Sequence, residues 1–144
     1  KRPPNPAPKL LECWREVYAV VRRHVAGKLA ISGKSMGGRM ASLLADELGA
    51  DALVCLGYPF YAVGKPEKPR VEHLAGLKTR TLIVQGERDA LGNREAVEGY
   101  KLSPGIELFW LVAGDHDLKP LKASGHTHEQ HLAAAAQKVA DFLQ

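Results

Sequence analysis

Residues 30–40 run AISGKSMGGRM, and the centre of this stretch fits two unrelated chemistries. Gly33-Lys34-Ser35 matches the close of a phosphate-binding loop, in which backbone N–H groups cradle phosphates and the lysine reaches toward them. Gly33-Lys34-Ser35-Met36-Gly37 is equally the G-x-S-x-G pattern, a tight turn that presents a nucleophilic serine between a strand and a helix. Spacing separates the two. The phosphate loop needs its first glycine at position 28, which is Lys28; Gly27 is one residue out of register, and the backbone cradle depends on that register. The serine turn gains from its surroundings. KLAIS (28–32) precedes it as a short apolar strand, and residues 37–48 follow as a helix with Met40, Leu43, Leu44 and Leu48 on one side. The positions two before and two after the serine must be small where strand and helix backbones cross. They are Gly33 and Gly37, with Gly38 giving further room. Lys34 is then a passenger at the variable position.

The alternation of strand and helix continues outward. Residues 1–9 hold four prolines and form a connector. Leu10, Leu11, Trp14, Val17, Tyr18, Val21 and Val25 recur at helical spacing, which predicts a helix over 10–26 that stops at Gly27. ALVCLG (52–57) is a second buried strand, followed by a loop rich in proline and aromatics and a short helix near 70–76. TLIVQG (81–86) and IELFWLV (106–112) are the third and fourth strands, with helices expected at 93–101 and 127–143. Short, nearly all-apolar strands separated by helices specify a mostly parallel sheet covered on both faces, an α/β fold in three α/β/α layers.

A chain of 144 residues is long enough for one domain with a real core. Its net charge of +4 comes from basic residues scattered among acidic ones, so the clustered basic face of a nucleic-acid binder is missing. No apolar run has the length of a membrane span, and no membrane partner is expected. Cys13 and Cys55 either pair as a disulfide or, as expected without an apolar leader segment, stand as two buried, reduced thiols, which points to the cytoplasm.

A serine hydroxyl is a poor nucleophile until a base takes its proton and a carboxylate orients that base. In sheets of this kind the order is Ser, then Asp or Glu, then His, each at the C-terminal end of a strand. QGERDALG after the third strand offers Asp89, with Glu87 as a rival acid, and VAGDHDLK after the fourth offers His116 as the base. The backbone N–H of Met36 would donate to the oxyanion. Each residue also has a plainer role: Ser35 as a helix cap, Asp89 as a turn former, His116 as a surface histidine. Asp115 and Asp117 flank His116 and are expected to bond neighbouring backbone. Tyr58, Pro59 and Phe60, with Tyr61, either line an acyl pocket or pack as a loop on the core. His126, His128 and His131 either share a metal ion or stand solvated at the start of the last helix. Lys65, Lys68, Arg70, Lys119 and Lys122 either meet an anionic substrate or form a solvated basic rim, the rim being the expectation.

With these residues in view, the chain resembles the α/β-hydrolase superfamily in its dienelactone-hydrolase-like branch. It is most similar to a group related to a subunit of the chromatin-modifying NSL complex (subunit 3) and to a testis-expressed protein. The resemblance lies in GKSMGGRMAS, LVCLGYPF, GKPEKPR, TLIVQGERD and AGDHDLKPLKASG, and it covers nearly the whole chain. It implies Ser35 as nucleophile, where dienelactone hydrolases proper have cysteine, with Asp89 as acid and His116 as base. It also implies that the first strands of the full sheet are missing. Residues 10–144 are thus expected to be the C-terminal portion of one hydrolase domain, completed by an N-terminal half or a second chain that brings the other oxyanion donor. The expected function is an esterase- or thioesterase-like serine hydrolase acting on a small acyl substrate, with no cofactor and no metal. The alternative is an interaction or scaffold domain that keeps the architecture without turnover.

Overall fold

Four strands pair in chain order, each parallel to the next, in a computed structural model that describes residues 2–144. They are β1 (Ala30–Lys34), β2 (Ala52–Leu56), β3 (Thr81–Gly86) and β4 (Ile106–Leu111). The helices are α1 (Ala7–His24), α2 (Met36–Leu48), α3 (Arg94–Glu98) and α4 (His128–Phe142), with single 3-10 turns at Glu72–Gly76 and Lys122–Ser124. No described helix is long and apolar enough to cross a membrane.

Side chains alternate across the sheet, as strand geometry requires. Ile31, Leu53, Cys55 and Ile83 pack with Tyr18, Ala41 and Ala45 of α1 and α2. Ala52, Val54, Leu82, Val84 and Leu111 pack with Ala135 and Phe142 of α4. Every residue of β3 is buried, which accounts for the apolar run Leu82-Ile83-Val84 at its centre. Covered on both faces, β2 and β3 form the centre of the three-layer sandwich.

Several element boundaries differ from the sequence expectation, among them α3, which spans Arg94–Glu98 where 93–101 is expected. α1 takes in the last three connector residues, because Pro8 lies in the first turn, where a missing N–H costs no helical hydrogen bond. The same helix ends at His24, two residues early, where Val25 turns extended and the Arg22 guanidinium bonds the carbonyls of Val25 and Gly27. β1 starts at Ala30 and is only half buried: Ile31 faces the core, while Ala30, Ser32 and Lys34 are exposed. The outermost strand lies beyond the reach of α4, which packs on β2, β3 and β4. Cys13 is exposed on α1, against expectation. Cys55 is buried in β2, and burial pushes its thiol up to about 12.

The elbow joins β1 to α2 with almost no space between them. A Cβ on Gly33 would stand 2.3 Å from the Gly37 carbonyl carbon and 2.4 Å from the Gly38 nitrogen. A Cβ on Gly38 would stand 2.7 Å from the Gly33 oxygen and 3.2 Å from the Cys55 side chain. A Cβ on Gly37 would meet nothing within 4 Å. The crossing therefore constrains Gly33 and Gly38, and the smallness expected at Gly37 is not a packing requirement. Gly38→Ala should lower stability by about 1–3 kcal/mol through overpacking. Gly37→Ala should leave stability unchanged or raise it by up to about 1 kcal/mol through helix propensity. Urea unfolding of the two variants checks this, and equal losses would contradict it.

Candidate active site

Ser35 sits at the corner of the elbow with φ 52° and ψ −122°, a left-handed backbone that costs a non-glycine residue about 1–3 kcal/mol. Its N–H donates to the Leu56 carbonyl at 2.9 Å, which fixes the turn over the end of β2. The side chain does not cap α2. Its Oγ lies 2.8 Å from His116 Nε2. Met36 opens α2, where the first N–H groups of a helix have no intrahelical acceptor and point outward as free donors.

The loop after β4 brings His116 back over that corner. It is closed by a bridge between Gly114 and Pro120 and by the Asp115 N–H donating to the Lys119 carbonyl at 2.9 Å. Asp115 Oδ1 accepts from the N–H groups of Asp117 and Lys119, both at 2.9 Å, so this carboxylate scaffolds the loop. The loop after β3 holds it from below: Ala113 N–H donates to Glu87 Oε1 at 2.9 Å, and Arg88 Nε donates to the Ala113 carbonyl at 2.8 Å.

The two carboxylates of the loop after β3 have different partners. Glu87 also pairs with Arg94 at 3.0 Å, and its carboxyl is held below the usual range, chiefly by the Ala113 N–H. It is occupied away from His116. Asp89 is fully buried, and its Oδ2 lies 2.8 Å from His116 Nδ1. The same carboxylate accepts from the Leu91 N–H at 2.8 Å and from Gln85 Nε2 at 3.1 Å. The Asp89 hydrogen bond raises the His116 pKa above its ordinary 6.5, against the effect of burial; Asp117 adds to the rise and Lys34 opposes it. Lys34 is no passenger. Its Nζ meets Asp117 Oδ1 at 2.7 Å, joining the elbow to the histidine loop through an exposed ion pair that holds the Asp117 carboxyl low.

Other expected residues lie elsewhere. Tyr58, Pro59 and Phe60 are buried, with the two aromatic rings 4.7 Å apart, so they belong to the core and offer no pocket surface. The open space beside His116 is instead a cleft of about 580 Å³ with Leu56, Leu118 and Leu132 among its walls and Lys34, Lys119 and His128 at its polar side. His131 is buried rather than solvated, with Nε2 on the Val112 carbonyl at 2.7 Å. His128 Nε2 meets the Asp117 carbonyl at 3.0 Å. Both imidazoles support the histidine loop. The five residues of the basic rim are exposed, as expected. Gln85 was not singled out from sequence, although a polar residue inside an otherwise apolar strand is a visible signal.

Comparison with solved structures places these features among known folds. The chain is similar to an alpha-beta serine hydrolase homologue from Coxiella burnetii, with a TM-score of 0.71 at 17% identity, over 98% of this chain and 62% of that one. It is similar to the CarC serine hydrolase involved in carbazole degradation, with a TM-score of 0.70 at 17% identity, over 99% and 74% of the two chains. The Pyrococcus furiosus esterase Pf2001 aligns with a TM-score of 0.62 at 17% identity, over 92% of this chain and 59% of that one. The chain thus spans between 59% and 74% of the length of these proteins, and at such identities the likeness is one of fold. No curated protein matches it. The family model described as "Alpha/beta hydrolase domain" matches residues 1–144, its whole length. By that match, and by the parallel sheet and serine elbow that accord with it, the chain belongs to the alpha/beta hydrolase domain family.

Proposed function

We propose that this chain carries the catalytic triad of an esterase- or thioesterase-like serine hydrolase acting on a small acyl substrate. The observation that supports it most is the unbroken relay from Ser35 Oγ through His116 to Asp89, with both hydrogen bonds at 2.8 Å. His116 Nε2 takes the hydroxyl proton as Ser35 Oγ attacks the acyl carbonyl. Asp89 keeps the other ring nitrogen protonated and stabilises the imidazolium, which then returns the proton to the leaving group. Met36 N–H donates to the oxyanion. Water, deprotonated by the same imidazole, releases the acyl group and restores Ser35. Within the superfamily, the motif resemblance favours the dienelactone-hydrolase-like branch and the group related to the NSL complex subunit.

Sheet completion is part of the proposal. β1 has a strand partner on one side only, and Val17, Val20 and Val21 of neighbouring α1 are exposed, a combination that soluble proteins normally cover. A further strand, from the rest of a longer protein or from a second chain, would cover that edge and bring the second oxyanion donor. The same open edge is what favours the alternative reading as an interaction domain without turnover.

Three results test these statements. A fluorophosphonate probe should modify Ser35, and the adduct located by mass spectrometry should vanish in Ser35→Ala and fall about 10⁴-fold or more in rate in His116→Ala. Absence of labelling on the folded, completed protein favours the interaction domain. Because His116 must be neutral to act as base and its pKa is raised, activity should rise with pH through a midpoint above 6.5. Asp89→Asn should move that midpoint down and lower the rate by about 10⁴-fold. The 144-residue chain alone should hydrolyse activated esters slowly, since one oxyanion donor contributes about 3 kcal/mol. Rapid turnover by the isolated chain would show that sheet completion is unnecessary.

A further inference from the structure

Gln85 is a polar side chain near the C-terminal end of β3, four residues before Asp89, and it is fully buried. Its Oε1 accepts from the Tyr58 N–H at 2.7 Å. Its Nε2 donates to the Tyr58 carbonyl at 3.0 Å, to Asp89 Oδ2 at 3.1 Å and to the Gly92 carbonyl at 3.1 Å, two hydrogens shared among three oxygens. One amide therefore ties the loop after β2, the loop after β3 and the acid into a single network. The task demands an acceptor and a donor at the end of one side chain. A carboxylate would turn lone pairs toward three oxygens, and an aliphatic side chain would leave the buried Tyr58 N–H unpaired. The surroundings are cut to fit the amide. A Cβ on Gly92 would stand 2.7 Å from Gln85 Nε2 and 2.5 Å from the Phe60 ring, so glycine there is what makes room.

We propose that Gln85 is the positioning residue for the acid: it holds Asp89 Oδ2 against His116 Nδ1 and shares the carboxylate's charge. This deepens the proposed Ser35–His116–Asp89 relay and rests on it. Oδ2 takes two donors, His116 and Gln85, while Oδ1 takes the Leu91 N–H, so the carboxylate has one orientation. The charged groups facing His116 are Asp89 from the β3 loop, Asp117 from its own loop and Lys34 from the elbow. Gln85 is neutral and reaches the imidazole only through Asp89.

Gln85→Met keeps the length and removes every hydrogen bond. With less of the Asp89 charge shared, the imidazolium is favoured, and the His116 titration midpoint followed by NMR should rise by about half a pH unit or more. In the same variant kcat should fall while KM for a small ester stays near wild type. A folded Gln85→Met with wild-type midpoint and wild-type kcat overturns the proposal. Wild-type protein provides a measurement that needs no substitution: the two Gln85 side-chain amide proton resonances should shift with the same midpoint as His116. Amide resonances that stay fixed through that titration also overturn it. Fluorophosphonate labelling keeps the two levels apart. Coupled titration without labelling preserves the positioning role and removes the hydrolase reading; labelling with an unresponsive Gln85 removes the positioning role alone.

Discussion

The close approach of β1 and α2 at Gly33 and Gly38 is the constraint on which the site depends. Two backbones that nearly touch leave the connecting residue no relaxed conformation, so Ser35 is held at φ 52° with its hydroxyl thrust above the sheet. The strain is sustained by packing on both sides, α2 against Cys55 of β2 and the Ser35 N–H on the Leu56 carbonyl. A relaxed turn at that point would send the hydroxyl toward the helix backbone, where serine normally caps.

Around this fixed corner, the other two groups arrive on loops that are themselves over-determined. The histidine loop is held by Asp115 from within, by Glu87 and Arg88 from the β3 loop, and by His128 and His131 from α4. Most of the charged residues near the site thus serve the placement of one imidazole, and Asp89 alone meets its ring from within the core. Burial of that carboxylate strengthens its hold on the ring, since no water competes for the hydrogen bond.

Much of this was legible in the chain, for physical reasons. The strand order and the strand-end positions of Ser35, Asp89 and His116 follow from short apolar runs alternating with helical periodicity, a local property. What depends on depth or direction was not legible. Tyr58 and Phe60 carry the same residue types whether they line a pocket or fill a core, and only the packing beneath the β2 loop decides. Glu87 and Asp89 lie two residues apart in one turn; the Ala113 N–H, which arrives from elsewhere in the sequence, claims Glu87. Gly37 and Gly38 are adjacent letters, and the rotation of α2 determines which one faces Gly33. The half-open face of β1 reflects the reach of α4 across the sheet, which no local pattern encodes.

The parallel, sequential sheet has a kinetic corollary. Ser35 and His116 are 81 residues apart in the chain, and His116 and Asp89 are 27 apart, so the relay closes only after all four strands have found their neighbours. Such non-local closure is entropically late, because the loops must be ordered before the contacts between them can stabilise anything. The elbow itself is local and forms from residues 33–38, whereas the hydrogen bond that would activate its serine is among the most long-range in the molecule. Formation of the Ser35–His116 contact during refolding would therefore report the assembly of these four strands, lagging behind any signal from helix content.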